Sequence, residues 1–359
     1  MRLSHVFAAA LTATAVVAAP TAALAAPNPE PMTDSSEAQT LSAASAEPLV
    51  ARVAGKDRIA TAVEISWGAW DGVGGEYAPD AVLLARSDSY ADSLAAAPLA
   101  VVANGPLLLT APGSLPTATR NEISRVLRPG GTVYLLGGTS AISKSIADSL
   151  GKTYAVKRLH GPNRYATAVS VAKEVDRLTG GGVGSYTLTT GLNFPDGLAA
   201  GAGSGTYAIP VLLTADKKLP AETKAFLDSR KDPWTVAVGG AAAAAGKWNW
   251  TLAGKDRYET SALVAEHFFG EDDPDVGRGV GVATGANWPD ALAGSAAMAG
   301  YNSPLLLAKQ NDLTAPSVAA LKTIERRPSG GVEWGVVFGG KAIVSDRVLQ
   351  QTNRVISER

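Results

Sequence analysis

Two short motifs with charged side chains each occur three times in the chain. The aspartate motif occupies residues 89–95, 193–199 and 287–293, and its carboxylates belong to Asp92, Asp196 and Asp290. The arginine motif precedes it at residues 55–62, 161–168 and 254–261, and its guanidinium groups belong to Arg58, Arg164 and Arg257. Carboxylates can act as acids or bases, and guanidinium groups bind carboxylates and phosphates. Because the two motifs alternate in the same order, the chain is a tandem repeat.

The aspartate motif lies where a predicted strand ends and a predicted helix begins. With Ser89, Asn193 or Asn287 as N-cap, the aspartate falls at position N3, and this spacing predicts a capping box. A carboxylate there also complements the positive end of the helix dipole. This structural role is the favoured interpretation. The alternative is a ligand site, because open α/β sheets bind ligands at the carboxyl ends of their strands.

The aspartate motif also contains an aromatic residue that capping does not explain: Tyr90, Phe194 and Trp288 in the three copies. Such a ring most often packs against a neighbouring helix or at an interface. The alternative is a ring that stacks on the face of a sugar. The three rings are therefore candidate ligand contacts.

The arginine motif predicts the start of a helix, with a glycine that permits the preceding turn. The expected N-caps are Asp57, Asn163 and Asp256, and Glu259 completes a capping box with Asp256. The arginine that follows stands at N1, where a positive charge opposes the helix dipole. It therefore needs a partner. A bidentate pair with a carboxylate inside the fold, such as the aspartate of the other motif, is slightly favoured. An anionic group on a ligand is the alternative.

Short apolar strands alternate with helices in each repeat, which indicates parallel sheets covered on both faces. We predict three α/β repeats, at residues 49–151, 152–247 and 248–359, each of ordinary domain size. The third strand of each repeat ends in a glycine pair, at residues 137–138, 239–240 and 339–340. A tight turn is the favoured role for each pair, and an amide cradle for phosphate is the alternative. The helix after this pair is nearly absent from repeat two. The surface left bare must be covered by something else, and another repeat is one candidate.

The N-terminal residues predict export. Residues 1–25 resemble a signal peptide, with Arg2, an apolar run and a small-residue cleavage site, and residues 26–48 predict a disordered linker. We expect a secreted protein at the cell wall or cell surface, without a transmembrane anchor. The formal net charge of −1 argues against a nucleic-acid partner, and the absence of cysteine excludes disulfides and thiolate metal sites. We expect no cofactor, no metal and no catalytic residue.

Together, the two motifs, the second strand and the glycine pair resemble the cell wall binding repeat 2 family over roughly residues 52–350. This resemblance implies three Rossmann-like or Toprim-like subdomains packed as a pseudo-three-fold intramolecular trimer. It also implies non-covalent binding of an anionic secondary wall polymer, teichoic-acid-like or another polysaccharide, near the faces where repeats meet. The positions that it marks are Arg58, Arg164, Arg257, Asp92, Asp196 and Asp290. Repeat one departs from the pattern at Ile59 and Ala91, and repeat two at Gly197, so the three sites need not be equivalent.

Three functional hypotheses follow. The leading one is an exported, non-catalytic protein of a Gram-positive bacterium that binds the cell wall. The second is an exported peptidoglycan or polysaccharide hydrolase that uses the repeated aspartates, which would have to converge to within ~5–10 Å. The third is a structural module that assembles with a protein partner.

Overall fold

The structure is a computed structural model that describes residues 49–271, 276–328 and 330–358. The predicted signal peptide and linker lie outside the described residues. In chain order the strands are β1 (Val50–Val53), β2 (Ala81–Arg86), β3 (Leu107–Thr110), β4 (Thr132–Leu136), β5 (Ala155–Leu159), β6 (Ser185–Thr190), β7 (Val211–Thr214), β8 (Trp234–Val238), β9 (Trp250–Leu252), β10 (Gly279–Thr284), β11 (Leu305–Ala308) and β12 (Trp334–Phe338).

The helices of repeat one are α1 (Arg58–Ala69), α2 (Ala97–Val102), α3 (Thr117–Val126) and α4 (Lys144–Leu150). Those of repeat two are α5 (Arg164–Leu178), α6 (Pro195–Thr206), α7 (Ala221–Asp228) and α8 (Gly240–Ala243). Those of repeat three are α9 (Arg257–Phe269), α10 (Pro289–Gly300), α11 (Ala315–Glu325) and α12 (Asp346–Ser357). Nowhere in the described ranges is a helix long and apolar enough to cross a membrane.

The strands form three four-stranded parallel sheets, with the orders β3-β2-β4-β5, β7-β6-β8-β9 and β11-β10-β12-β1. The predicted α/β architecture of three parallel-sheet units is confirmed. In each sheet the outer fourth strand leads directly into the next arginine motif.

The third sheet closes the chain into a ring. Its fourth strand is β1, which precedes the arginine motif of repeat one but pairs with β12 in repeat three, from Val50 opposite Gly335 to Val53 opposite Phe338. The guanidinium of Arg52 reinforces this junction, because it donates to the carbonyl oxygens of Gly339 (2.6 Å) and Val344 (2.7 Å) and to Asp346 (3.1 Å). The first and last repeats are therefore joined as directly as consecutive ones.

Three helices, α2, α6 and α10, pack against one another around the pseudo-three-fold axis. Small residues allow the close approach: a Cβ on Gly201 would lie 2.7 Å from Oγ of Ser295, and one on Gly205 would lie 2.7 Å from Cβ of Ala299. Ser295 also donates across the interface to the carbonyl oxygen of Leu198 (2.8 Å). The glycine-rich run at residues 201–205 thus lies inside α6 and serves helix packing.

The boundary between repeats one and two contains a buried charge network. Glu174 on α5 accepts hydrogen bonds from Tyr134 on β4 (2.9 Å), from Lys157 on β5 and from Arg177 (2.7 Å). Burial opposes ionisation of Glu174, but these donors outweigh it and lower the pKa to about 2. The boundary between repeats two and three has an aromatic contact at the matching positions instead: Trp250 on β9 stacks on His267 of α9, with centroids 6.0 Å apart.

Repeat two has only a short turn, α8, where repeat one has α4. Trp248 packs against the hydrophobic core of repeat two. Its indole nitrogen donates to the carbonyl oxygen of Ala242 (2.9 Å). The near-absence of the helix is confirmed, and a single tryptophan side chain of the same repeat contributes to the cover.

Replacement of Arg52 by Ala tests the ring closure. The Arg52 side chain is only 15% exposed, so its loss leaves the carbonyl oxygens of Gly339 and Val344 without these donors. We expect the free energy of unfolding to fall by about 2–3 kcal/mol in urea titrations. Lys341→Ala is the matched control: Lys341 pairs with the same Asp346 at 2.8 Å but is 73% exposed. That change should cost no more than about 1 kcal/mol, and equal losses in both variants would contradict the assigned role.

Candidate functional site

The predicted N-caps of the arginine motif are confirmed. Asp57, Asn163 and Asp256 each accept two first-turn amides, at 2.9–3.0 Å, and the helices begin at the following arginines. The capping box at Asp256 differs in one detail, because Glu259 accepts from the amide of Lys255 (2.6 Å) rather than from that of the cap.

The glycine of the arginine motif is required for close packing. A Cβ on Gly55 would lie 2.4 Å from the carbonyl carbon of Ala60. The Gly55 amide instead donates to the hydroxyl of Thr61 (3.1 Å), and the same bond recurs in the other two copies. This threonine stands six residues after each glycine, so its spacing is visible in the sequence, but its bond to the glycine amide was not predicted.

The arginines do not find the expected carboxylate partners. Arg58 donates from Nη1 to the carbonyl oxygen of Ser87 (2.7 Å), and Arg164 and Arg257 donate in the same way to Gly191 and Gly285. Each acceptor directly follows a central strand. Within the described residues, no ion pair of 4.0 Å or less joins one of these arginines to Asp92, Asp196 or Asp290. The prediction of a bidentate internal pair is wrong.

The three aromatic rings of the aspartate motifs meet at the pseudo-three-fold axis. The ring of Tyr90 lies edge-to-face with that of Phe194, at a centroid distance of 5.6 Å, and with that of Trp288, at 6.2 Å. The Tyr90 hydroxyl also donates to the carbonyl oxygen of Leu192 (3.0 Å) in the next repeat. The rings therefore pack on one another at the interface, which was the favoured of their two predicted roles.

Each arginine lies on the ring of the preceding repeat. The guanidinium carbon of Arg58 is 5.6 Å from the centroid of Trp288, that of Arg164 is 5.9 Å from Tyr90, and that of Arg257 is 5.9 Å from Phe194. These distances fall within the range of cation–π attraction. We call the six residues the arginine–aromatic cluster. Arg58 is exposed, and the other two arginines are half-buried. The cluster lies at the carboxyl ends of the strands and draws residues from all three repeats.

The aspartates occupy a different place from the one predicted. The cap of α6 is Phe194 and that of α10 is Trp288, neither with a side-chain cap bond, and Asn193 accepts from the amide of Phe194 (3.0 Å). In repeat one, residues 91–95 form turns and α2 begins only at Ala97. The capping box is therefore wrong for these motifs. Proline at N1 of α6 and α10 shifts the aspartate to N2, where its side chain no longer reaches the cap amide.

Each aspartate lies against the glycine pair of its own repeat. The first glycines, Gly137, Gly239 and Gly339, have φ values of 100°, 88° and 109°, in the left-handed region that favours glycine. A Cβ on them would lie 2.6, 2.0 and 2.8 Å from Oδ2 of Asp92, Asp196 and Asp290, respectively. The pair is a tight turn, as favoured from the sequence, and it also makes room for the carboxylate.

Burial perturbs two of these carboxylates. It raises the pKa of Asp196 to about 6, and the positive charge of Arg257 opposes the rise. Burial also raises the pKa of Asp290, against a hydrogen bond from Thr61 and the charge of Arg58. In both cases the opposing arginine belongs to the next repeat around the ring, so these two boundaries combine an aspartate and an aromatic ring from one repeat with an arginine from the next.

Lys309 was not among the predicted site residues. It directly follows β11, and its ammonium nitrogen lies 5.8 Å from the ring centroid of Tyr258, the neighbour of Arg257. A single lysine after an apolar strand gives no sequence signal of this kind. No group of three or more His, Cys, Asp or Glu side chains in the described part is placed to hold a metal ion.

The fold and the site define a class: a ring of three α/β repeats whose candidate binding residues meet at the repeat boundaries. The chain matches the model of the cell wall binding domain 2 (CWB2) family three times, over residues 52–147, 158–247 and 251–349. These matches span most of the chain, and the protein therefore belongs to this family. Membership supports cell wall binding and a place at the cell surface.

Two curated proteins of Bacillus subtilis (strain 168) are similar in sequence. An amidase enhancer is 28% identical over 283 residues, covering 76% of this chain and 36% of its own length. The N-acetylmuramoyl-L-alanine amidase LytC is 29% identical over 319 residues, covering 86% of this chain and 59% of its own length. The chain thus spans less than two thirds of either relative.

Two solved structures share the fold. Cwp6 from Clostridium difficile has a TM-score of 0.74 at 22% identity, over 86% of this chain and 48% of that chain. Cwp8 from Clostridium difficile has a TM-score of 0.71 at 24% identity, over 87% of this chain and 52% of that chain. The three-unit arrangement therefore recurs in proteins of low sequence identity.

The raised pKa of Asp196 gives a test of its burial. The folded state holds a proton up to about pH 6, whereas the ordinary aspartate releases it near 3.8. Ionisation therefore costs stability as the pH rises through 6, and the cost is absent below the unfolded pKa. Asp196→Asn should be more stable than the wild type by about 2–3 kcal/mol at pH 7 in urea titrations, and the gain should vanish at about pH 3, below the unfolded pKa. A gain that is equal at both pH values would contradict this assignment.

Proposed function

We propose that the protein attaches non-covalently to the bacterial cell wall through the arginine–aromatic cluster, and that its ligand is an anionic secondary wall polymer. The observation that carries the proposal is the arrangement of three guanidinium groups around one cluster of rings at the carboxyl ends of the strands. Secretion, a place at the wall and the absence of a catalytic role belong to the same proposal.

The hydrogen bonds of the arginines support an anionic ligand. Each guanidinium uses Nη1 for a strand-end carbonyl, and among the described residues its other nitrogens have no hydrogen-bond partner. A guanidinium has five N–H donors in a planar fork that fits phosphate or carboxylate oxygens. The three arginines thus have donors to spare for a ligand.

The positions of the rings favour recognition by charge over stacking on a sugar. Each ring is covered in part by a guanidinium and in part by another ring, and Trp288 is only 8% exposed. We assign the rings the role of holding the arginines in place. The aspartates are assigned a structural role at the glycine turns, and no observation favours the alternative of a hydrolase that uses them.

The proposal is tested by sedimentation with purified walls, before and after chemical removal of anionic polymers. The variant in which Arg58, Arg164 and Arg257 are all replaced by Ala should bind at least about tenfold more weakly for each arginine removed. Binding of the wild type should also weaken with salt, because the contacts are between charges.

The matched control replaces Lys144, Lys224 and Lys341 by Ala. It also removes one cation per repeat, but from exposed pairs with Asp148, Asp228 and Asp346 outside the cluster. Binding should persist in this variant. Equal loss in both triple variants, or equal binding to walls with and without anionic polymer, would overturn the proposal. Urea titrations establish that both variants are folded.

A further inference from the structure

We infer that the three boundaries of the cluster are unequal, and that the boundary between repeats two and three holds the principal anion site, where Lys309 adds a second cation to Arg257. This inference rests on the proposed function and identifies its dominant subsite. The ligand group that it fits is a phosphate of the polymer.

Tyr258 contacts Lys309 and directly follows Arg257 in the chain. Its ring lies 5.8 Å from the ammonium nitrogen of Lys309. On the other side, Tyr258 and Arg257 converge on Gly285: a Cβ there would lie 2.8 Å from Cε1 of the tyrosine and 3.0 Å from Cδ of the arginine. Arg257 donates to the carbonyl oxygen of the same glycine. One glycine and one ring therefore connect the guanidinium with the exposed lysine at the ends of β10 and β11.

Neither of the other two repeats has a lysine at the matching position. The residue after the second strand is Lys309 in repeat three, Ala215 in repeat two and Ala111 in repeat one. The alignment is structural, because Lys309 and Ala215 each open the same short turn, with isolated bridges to Asp312 and Lys218. Repeat two keeps the tyrosine at Tyr165, but repeat one has Ile59 in its place.

The carboxylate nearest in effect to Arg257 is not paired with it. Asp196 feels the charge of this arginine, but among the described residues no ion pair of 4.0 Å or less joins the two, and its Oδ2 lies at the Gly239 turn. Asp312, at the other end of the turn, accepts from Gln351 (3.1 Å). A guanidinium fork beside an ammonium group suits a phosphate, whose several oxygens can accept from both.

The test measures binding of the full chain to inorganic polyphosphate by calorimetry at low salt, together with wall sedimentation. Lys309→Ala should weaken binding about three- to tenfold, as expected for one charge-assisted contact that is partly exposed to solvent. The control is Lys218→Ala, which removes a lysine from the equivalent turn of repeat two. It should leave the affinity within about twofold of the wild type.

A second variant should strengthen polyphosphate binding rather than weaken it. Ala215→Lys places a lysine after β7, next to the tyrosine of repeat two, and should strengthen polyphosphate binding severalfold. The inference fails if Lys309→Ala and Lys218→Ala have the same affinity for polyphosphate, or if Ala215→Lys does not raise that affinity. If the single replacements of Arg58, Arg164 and Arg257 by Ala still weaken wall binding in that case, the proposed function stands. Absence of wild-type binding to both walls and polyphosphate overturns both.

Discussion

The parallel pairing of β1 with β12 is the constraint on which the rest of the structure depends. β1 precedes the first arginine motif but completes the last sheet, so every sheet takes its fourth strand from the segment that enters the next repeat. Each first helix therefore begins beside the aspartate motif of the preceding repeat. A single repeat contributes an arginine to one boundary and an aromatic ring to another, and only the closed ring brings the three rings together.

The partners of each arginine determine whether the cluster keeps its positive charge. A carboxylate would have neutralised the guanidinium, whereas a strand-end carbonyl and an aromatic ring satisfy part of its hydrogen bonding and hold it in place with partial charges. The positive charge therefore remains to attract an anion. The aspartates, which could have supplied that neutralisation, lie against the glycine turns, and in the described part of the chain no ion pair of 4.0 Å or less joins them to the arginines.

Local spacing was enough to predict three strands in each repeat, most of the helices and the caps at Asp57, Asn163 and Asp256, because these features depend on neighbours close in the chain. The fourth strand of each sheet, β1, β5 or β9, was not predicted. The predicted capping box at the aspartate was wrong by one helix position, because proline occupies N1 in α6 and α10 and the carboxylate therefore stands at N2. The carbonyl partner of each arginine lies at a strand end of the same repeat, whereas its ring partner and the place of β1 depend on contacts between repeats. No local pattern in the sequence encodes these contacts. Lys309 is missed for the same reason, because its importance comes from a tyrosine on another element.

The differences between the boundaries bear on the role of the arginines. Away from the axis, matching positions hold different contacts: a charge network around Glu174 between repeats one and two, and a stack of Trp250 on His267 between repeats two and three. The fold thus accepts unlike chemistry at matching positions as long as the surfaces pack. At the axis, by contrast, all three copies keep an arginine at N1, where the helix dipole disfavours it. The strand-end hydrogen bond of each guanidinium occupies only Nη1, so structural contacts account for one of its nitrogens and leave its other donors unused among the described residues. A requirement for positive charge at the carboxyl ends of the strands gives a reason for the repetition.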